Sequence, residues 1–516
     1  MFLRRFLLFA FLFFGLTSCV RSAPGDFIPA PTVTARSGVG SIAPELPTAF
    51  APTAPATPSF HIQPTRIPGA PILTPTPDGA HFSTSAASGP ETYVVQAGDT
   101  LSTIAYRYGM SVDVLMGANN LTDPNLLRAG QTLVIPHPTP QASGSAFKII
   151  PDSELVYGPM SITLDIDLFA QTRGGYLADY TQDVDGETLS GAQIVERVAQ
   201  NYSVNPRLLL ALLEYRSGWV TRPAPAQETL TEPMGMRDGW HAGLYRQLTW
   251  TADALNRGYY LWRVGGVSSW TLADGSVAPA DPAINAGTAG VQSFFARQDD
   301  YQTWLKDVSA DGLFATYYAL FGYPFDLAIE PIVPADLLQP PLQLPFASGV
   351  LWAFTGGPHG GWDVGSAWAA LDFSPAGTEG CVQSEAWVTA VANGLIVRAA
   401  NGAVVQDLDG DGYEQSGWTL LYMHMESRGR VQPGTYVRSG ERIGHPSCEG
   451  GFGDATHLHL ARRFNGEWIP ADGLVPFNLE GWISSGTGVE YDGYLTRGGQ
   501  SVEAFNGNNA INQIQR

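Results

Sequence analysis

Basic residues and cysteine are both scarce in this chain. Lys and Arg total 28 against 48 Asp and Glu in 516 residues, which gives a formal net charge of -20 and a pI near 4.7. Such a surface excludes the basic patches that phosphate backbones require, so nucleic acid is not an expected partner. Three cysteines, Cys19, Cys381 and Cys448, allow at most one disulfide. Beyond the N-terminus no apolar run reaches the roughly 20 residues needed to span a bilayer. What is plentiful is 58 Gly and 38 Pro, which require long irregular stretches, beside 13 Trp, 20 Tyr and 24 Phe, which can fill cores. The length divides into roughly three or four units.

Arg4-Arg5, the apolar run Phe6 to Gly15 and then Leu16-Thr17-Ser18-Cys19 read as an export signal over residues 1–19. The Leu-Thr-Ser-Cys end resembles a bacterial lipoprotein signal, which implies a lipid on Cys19 and a chain anchored to the membrane, not spanning it. An ordinary signal with an incidental cysteine is the alternative. With Cys19 lipidated, Cys381 and Cys448 remain as a possible pair in an exported compartment. Residues 20–91 repeat Pro, Ala, Thr and Ser, as in Ala51-Pro52-Thr53-Ala54-Pro55, and cannot bury a core; they form an extended spacer.

The first compact unit is expected over residues 92–136, followed by a linker at 137–150. Leu101, Ile104, Ala105 and Tyr108, and then Val112, Leu115 and Met116, fall at helical spacing between two short apolar runs, giving a βααβ order. Tyr93-Val94-Val95-Gln96-Ala97-Gly98-Asp99-Thr100-Leu101, the pair Asn119-Asn120 and Gly130-Gln131-Thr132-Leu133-Val134-Ile135-Pro136 together resemble a LysM domain. The resemblance implies binding of N-acetylglucosamine-containing glycan between Gly98, Asp99, Thr100 and Leu101 on one side and Asn119, Asn120 and Leu121 on the other. On the residues alone, Gly98-Asp99-Thr100 is a turn and helix cap.

Residues 151–343 read as a mostly α middle domain. Ile194, Val195, Val198 and Ala199 make one apolar stripe, Asn205-Pro206 caps a helix over Leu208 to Tyr215, and Asn256 to Trp262 and Val291 to Ala296 are further candidates. The run Val204 to Trp219 resembles the catalytic helix of lysozyme-like lytic transglycosylases, but Arg216 stands where that family has its acid and cannot protonate a glycosidic oxygen. Glu214, two residues earlier, points to a different side of the helix. A glycan-binding cleft without glycosidase activity is expected.

From residue 344 to 486 short β-type runs alternate with glycine turns, which predicts a mainly antiparallel β domain; a polar, Gly/Asn-rich tail, partly disordered, is expected over 487–516. Five of the nine histidines lie in this domain: His359, His424, His445, His457 and His459. In an extended strand His457 and His459 project to one side and Leu458 and Leu460 to the other. Gly356-Gly357-Pro358-His359, then Leu371-Asp372-Phe373, then Leu421-Tyr422-Met423-His424, then Thr456-His457-Leu458-His459, with Cys448-Glu449-Gly450-Gly451, together resemble the LytM/lysostaphin-like zinc metallopeptidases, most of all the β-lytic and staphylolytic endopeptidases.

That resemblance implies one Zn2+ held by His359, Asp372 and His459, with His424 and His457 as catalytic imidazoles, one a base and one a stabiliser of the oxyanion. His359-Gly360-Gly361-Trp362-Asp363 also fits a shorter ligand spacing, so Asp363 competes with Asp372; the apolar neighbours Leu371 and Phe373 favour Asp372. His445, beside Pro446, matches no ligand of the family and is expected at the surface or around the site. Asp407, Asp409 and Asp411 are spaced like a Ca2+ loop without the closing Glu, so a plain hairpin turn competes with a calcium site. The expected function is a cell-wall hydrolase, a zinc endopeptidase cutting peptidoglycan stems or cross-bridges. The alternatives are a non-catalytic regulator of wall amidases and a glycan-binding wall protein.

Overall fold

The computed structural model describes residues 144–516 throughout and, before them, His81, 91–95, 100–101, 104–105, 112–119, 121, 127–128 and 130–135. Cys19, Gly98, Asp99 and Asn120, and the signal and spacer up to residue 80, lie outside the described residues. In the small N-terminal unit, strands Glu91–Val94 and Thr132–Ile135 pair antiparallel, and Leu101, Ile104, Ala105 and the helix Val112–Ala118 lie between them in sequence. Leu101, Ile104, Leu115, Leu133 and Ile135 fill its core, with Leu121 against them. The Asn119 amide donates to the carbonyls of Leu115 and Val134 at 2.8 and 2.7 Å and accepts from Val134 N at 2.7 Å. Leu101 is buried in this core, Asn119 and Leu121 are half-buried, and Thr100 is exposed.

The middle region is helical as its stripes predict. Helix Gly191–Tyr202 starts at a reciprocal cap between Ser190 and Gln193, and helix Pro206–Ser217 starts where the Asn205 side chain accepts from Arg207 N. The two further candidates prove to be the ends of longer helices, Leu244–Arg263 and Ala286–Ala296. Their first halves carry Thr, Gly and Gln that blur the apolar period, yet Gln247, Thr251 and Thr288 are fully buried. These helices lie close together because Gly258 meets Gly290, where a side chain would come within 2.9 Å of backbone. Glu214 accepts from Val220 N, Thr221 N and the Thr221 hydroxyl, and Arg216 pairs with Asp299 at 3.1 Å. Both side chains of the transglycosylase-like helix are therefore committed to the fold.

The C-terminal region is a large antiparallel sheet. From one edge to the other its strands run Tyr436–Val437, Gly394–Ala400, Ala403–Asp407, Trp418–Met423, Leu458–Phe464, Ala370–Pro375, Leu351–His359 and Gln513–Gln515, with Glu467–Trp468 added beside Leu458–Phe464. The expected polar tail is instead folded. Gly493–Arg497 and Gln500–Glu503 extend a second sheet with Asn478–Leu479 and Trp482–Gly486, and Ile514 pairs with Trp352 on the main one. The buried Asn512 amide donates to Phe354, Phe505 and Gly507 carbonyls. Leu495, Val502 and Ile514 supply one inward side chain per short strand, too sparse a pattern to rise above the polar composition.

The sheet has two covered faces. Leu371, Phe373, Leu420, Tyr422, Leu458 and Leu460 point into the domain's own core, whereas Ala370, Ala403, Leu421, Met423 and Ala461 join the core of the helical region. Alanine on this second face lets the helices approach. Trp468, almost fully buried, donates through Nε1 to Tyr202 O at 3.3 Å, and its own N–H donates to the Tyr260 hydroxyl at 3.0 Å. Arg263 pairs with Glu467, and Glu414 binds both Arg398 and Arg463, which reach Asn201 and Gln200 O of the helical side. A shared core of this kind should unfold as one. Trp468→Ala should cost about 3–5 kcal/mol and leave the helical and β regions melting in one calorimetric transition; separate transitions for these two regions in the parent would contradict this.

Burial, with repulsion from Asp152 and Glu467, pushes the Glu330 carboxyl from 4.5 up to about 9. The folded chain therefore holds this proton more tightly than the unfolded chain, and the stability it contributes is full below pH 4.5 and lost as pH rises towards about 9. Melting temperature should fall across that window, and Glu330→Gln should flatten the fall; identical slopes would remove Glu330 as its source.

Candidate metal and catalytic centre

Strand register builds the centre. His459 lies directly across from Asp372 on one side and from Met423 on the other, so His424, the next residue after Met423, falls beside them. His359 ends the adjoining strand, where Gly356 pairs with Asp372. A Cβ at Gly356 would stand 2.7 Å from Asp372 Oδ2, so the glycine of Gly-Gly-Pro-His makes room for the carboxylate. His459 and Asp372 face the same side of the sheet as Ala461 and Ala370, and the centre therefore opens on the face that the helical region covers further along.

His359 Nδ1 lies 2.7 Å from Gly357 O and His459 Nε2 lies 3.1 Å from Gly361 O. With protons on those nitrogens, the lone pairs of His359 Nε2 and His459 Nδ1 face each other at 2.9 Å, each 3.2 Å from Asp372 Oδ1. Asp372 Oδ1 is buried and has no hydrogen-bond donor. Two lone pairs and an unsatisfied carboxylate oxygen converging in a dry site are repulsive without a cation among them. Burial would raise the Asp372 carboxyl, but His359 and His459 hold it well below the usual range. Burial works to lower both imidazoles; at His359 the attraction of Asp372 prevails and the net shift is upward, whereas His459 is lowered.

His424 and His457 stand beside this trio, their ring centroids 4.3 Å apart. Their Nδ1 atoms meet Glu449 O at 3.1 Å and Ala455 O at 2.7 Å, which leaves both Nε2 atoms to the cleft. His457 Nε2 is 4.0 Å from Asp372 Oδ1. Burial, then the neighbouring His457 and His459, push His424 down to about 3, so it is neutral at physiological pH. His424 itself sits in the left-handed region at φ 63°, a conformation fixed by the turn that follows its strand.

Asp363 is not drawn into this trio. Its carboxylate accepts from the Tyr202 hydroxyl at 3.0 Å and from Val364 N at 2.8 Å, fastening its loop to the helical region. His445 is buried, its Nδ1 2.7 Å from Ala386 O and its ring against Trp387. Tyr491 is a residue the sequence reading missed: its ring stacks on His359 at 4.2 Å, its backbone exchanges hydrogen bonds with Gly357 and Pro358, and burial pushes its phenol up to about 12. It lies in the stretch read as a tail, and no motif flags a lone tyrosine there. A disulfide joins Cys381 and Cys448; closing its loop stabilises the fold by about 4 kcal/mol on a chain-entropy basis. Asp407, Asp409 and Asp411 converge within 4.8 Å of one another. Asp407, however, already accepts from the N–H groups of Asp409, Gly410 and Gly412, as a turn requires.

Comparison with known proteins gives a matching outline. The family model described as LasA, N-terminal domain, matches residues 148–333, and the LysM domain model matches residues 93–136. Protease LasA of Pseudomonas aeruginosa (strain UCBPP-PA14) is 23% identical over 342 residues, 62% of this chain and 75% of LasA. The chain is similar to this LasA-type peptidase over most of its length and carries a LysM domain. The N-acetylmuramoyl-L-alanine amidase XlyA of Bacillus subtilis (strain 168) is 49% identical over 51 residues, 10% of this chain and 17% of that protein. Among solved structures, the deep-sea M23 metalloprotease pseudoalterin is 23% identical, with 35% of this chain and 100% of that chain covered at a TM-score of 0.29. The helical region thus matches the LasA N-terminal domain model, and the comparisons add nothing to the lysozyme-like resemblance of its helix Pro206–Ser217.

Asp372→Ala should abolish zinc binding measured by mass spectrometry of the native chain, whereas Asp363→Ala should keep it. Loss of metal from the Asp363 variant alone would reverse the assignment.

Proposed function

We propose that the chain is a zinc-dependent endopeptidase that hydrolyses peptide bonds in peptidoglycan stems or cross-bridges, held on its substrate by the LysM module. The observation that carries this reading is the orphaned Asp372 oxygen set 3.2 Å from the lone-pair nitrogens of both His359 and His459. Two imidazoles and a carboxylate are the donor set of a catalytic zinc site, and they leave a further position open. His359, Asp372 and His459 would hold the ion, whose contribution is Lewis-acid activation of water and of the peptide carbonyl.

The remaining work falls to the chain's own groups. His457 presents Nε2 to the cleft and is placed to take a proton from the attacking water and return it to the leaving amine. His424, pushed down to about 3, is a poor base, and its Nε2 lone pair instead serves to orient the water or a substrate N–H. Tyr491 keeps its proton at neutral pH and walls the site beside His359. A regulator without catalysis would not need this intact set.

We further propose that the protein is exported and lipid-anchored through Cys19, with the 20–91 spacer carrying its domains towards the wall. Among the described residues no helix is long and apolar enough to cross a membrane. Glycan binding by the LysM module would raise the local concentration of stem peptides.

Full-length protein incubated with purified sacculi should release new peptide amino groups, and a chelator should stop this until zinc is restored. His459→Ala should lose zinc and activity together; His457→Ala should keep zinc and lose about 100-fold or more in kcat. Glu214→Gln should leave release unchanged. Cleavage that persists in chelator, or glycan-chain cleavage that is lost in Glu214→Gln, would overturn the reading.

A further inference from the structure

The segment Glu449 to Ala455 wraps the two catalytic imidazoles. Its two ends supply the carbonyls that meet His424 Nδ1 and His457 Nδ1. Between them, a Cβ at Gly453 would lie 3.4 Å from His457 Cε1 and 3.5 Å from His424 Cε1, so the backbone itself rests on both rings. A Cβ at Gly451 would come within 2.7 Å of the Met423 side chain, and Gly450, at φ 72°, packs on Asn401 O. Just before this segment, Cys448 is tied to Cys381.

At the apex of this fixed segment stands Phe452, 92% exposed. A phenyl ring left in water on a backbone held at both ends is a preformed apolar platform, and it lies one residue from the glycine that touches the catalytic rings.

Given the peptidase reading above, we infer that Phe452 is a substrate-binding residue of this centre, packing against the main chain and short aliphatic side chains of the bound peptide beside the scissile bond. Its face buries on peptide that has entered the cleft, so it strengthens binding of substrate and transition state alike. It touches neither the ion site nor the proton-handling nitrogens. The expected signature is therefore in KM, with kcat largely retained.

The test uses the full chain and a synthetic cross-linked stem peptide without sugar, so that the LysM module does not contribute. Phe452→Ala should raise KM about tenfold, with kcat within about threefold of the parent, and Phe452→Tyr should restore KM. Zinc content should not change. In a His457→Ala background, which does not consume the peptide, the Kd should rise by the same factor when Phe452 is replaced. Failure of the parent to cleave would sink the peptidase reading, while the Kd ratio would still decide the role of Phe452. Unchanged KM and Kd, or a loss in kcat alone, would overturn the inference.

Discussion

The pairing of strand Leu458–Phe464 with strand Ala370–Pro375 is the constraint on which the rest depends. It sets His459 across from Asp372, and a slip of one residue in the first strand would send His459 into the apolar core and bring Leu458 or Leu460 to the site. Because those leucines are buried in a packed interior, the hydrophobic pattern of the strands enforces the geometry of the centre. The same register sets the buried carboxylate where its free oxygen meets two imidazole lone pairs. The chemistry is thus a by-product of which face of a strand must be dry.

The helical region has a part in this arrangement. It packs on the face of the sheet to which His459 and Asp372 point, through alanines that thin that face and through Trp468. Tyr202 and Asp253 also hold the loop 360–366, whose Gly361 carbonyl orients His459. What lies beside the centre is therefore a wall of the same folded body, built on buried ion pairs such as those of Glu414 with Arg398 and Arg463. Removing one partner of such a pair costs more than the pair contributes, which makes this junction sensitive to single changes.

Much of the centre was legible in the sequence because its residues recur in a fixed order with rigid local chemistry. His457 and His459 alternate with leucines, Asp372 is flanked by Leu371 and Phe373, and Gly356 precedes His359, each a local sign of a strand with one functional face. Other features depend on long-range contacts that leave no local mark. Tyr491 is an isolated aromatic in polar surroundings and gains its place only by stacking on His359. Strands 493–497, 500–503 and 513–515 are short, with one inward hydrophobic side chain each, and the buried Asn512 amide reaches the distant Phe354 carbonyl as well as the nearby carbonyls of Phe505 and Gly507. In the LysM module the Asn119 amide joins helix to strand, a contact that its place in the motif does not reveal. Polar side chains that serve the backbone look the same in sequence as polar side chains that serve a ligand.

The central claim is that Asp372, His359 and His459 form one zinc site. X-ray absorption at the zinc edge of the full-length protein tests it most directly. The account predicts one zinc per chain with a first shell of light atoms that includes two imidazoles. A chain that retains no zinc under saturating conditions, or a first shell containing sulfur or a different number of imidazoles, would contradict it.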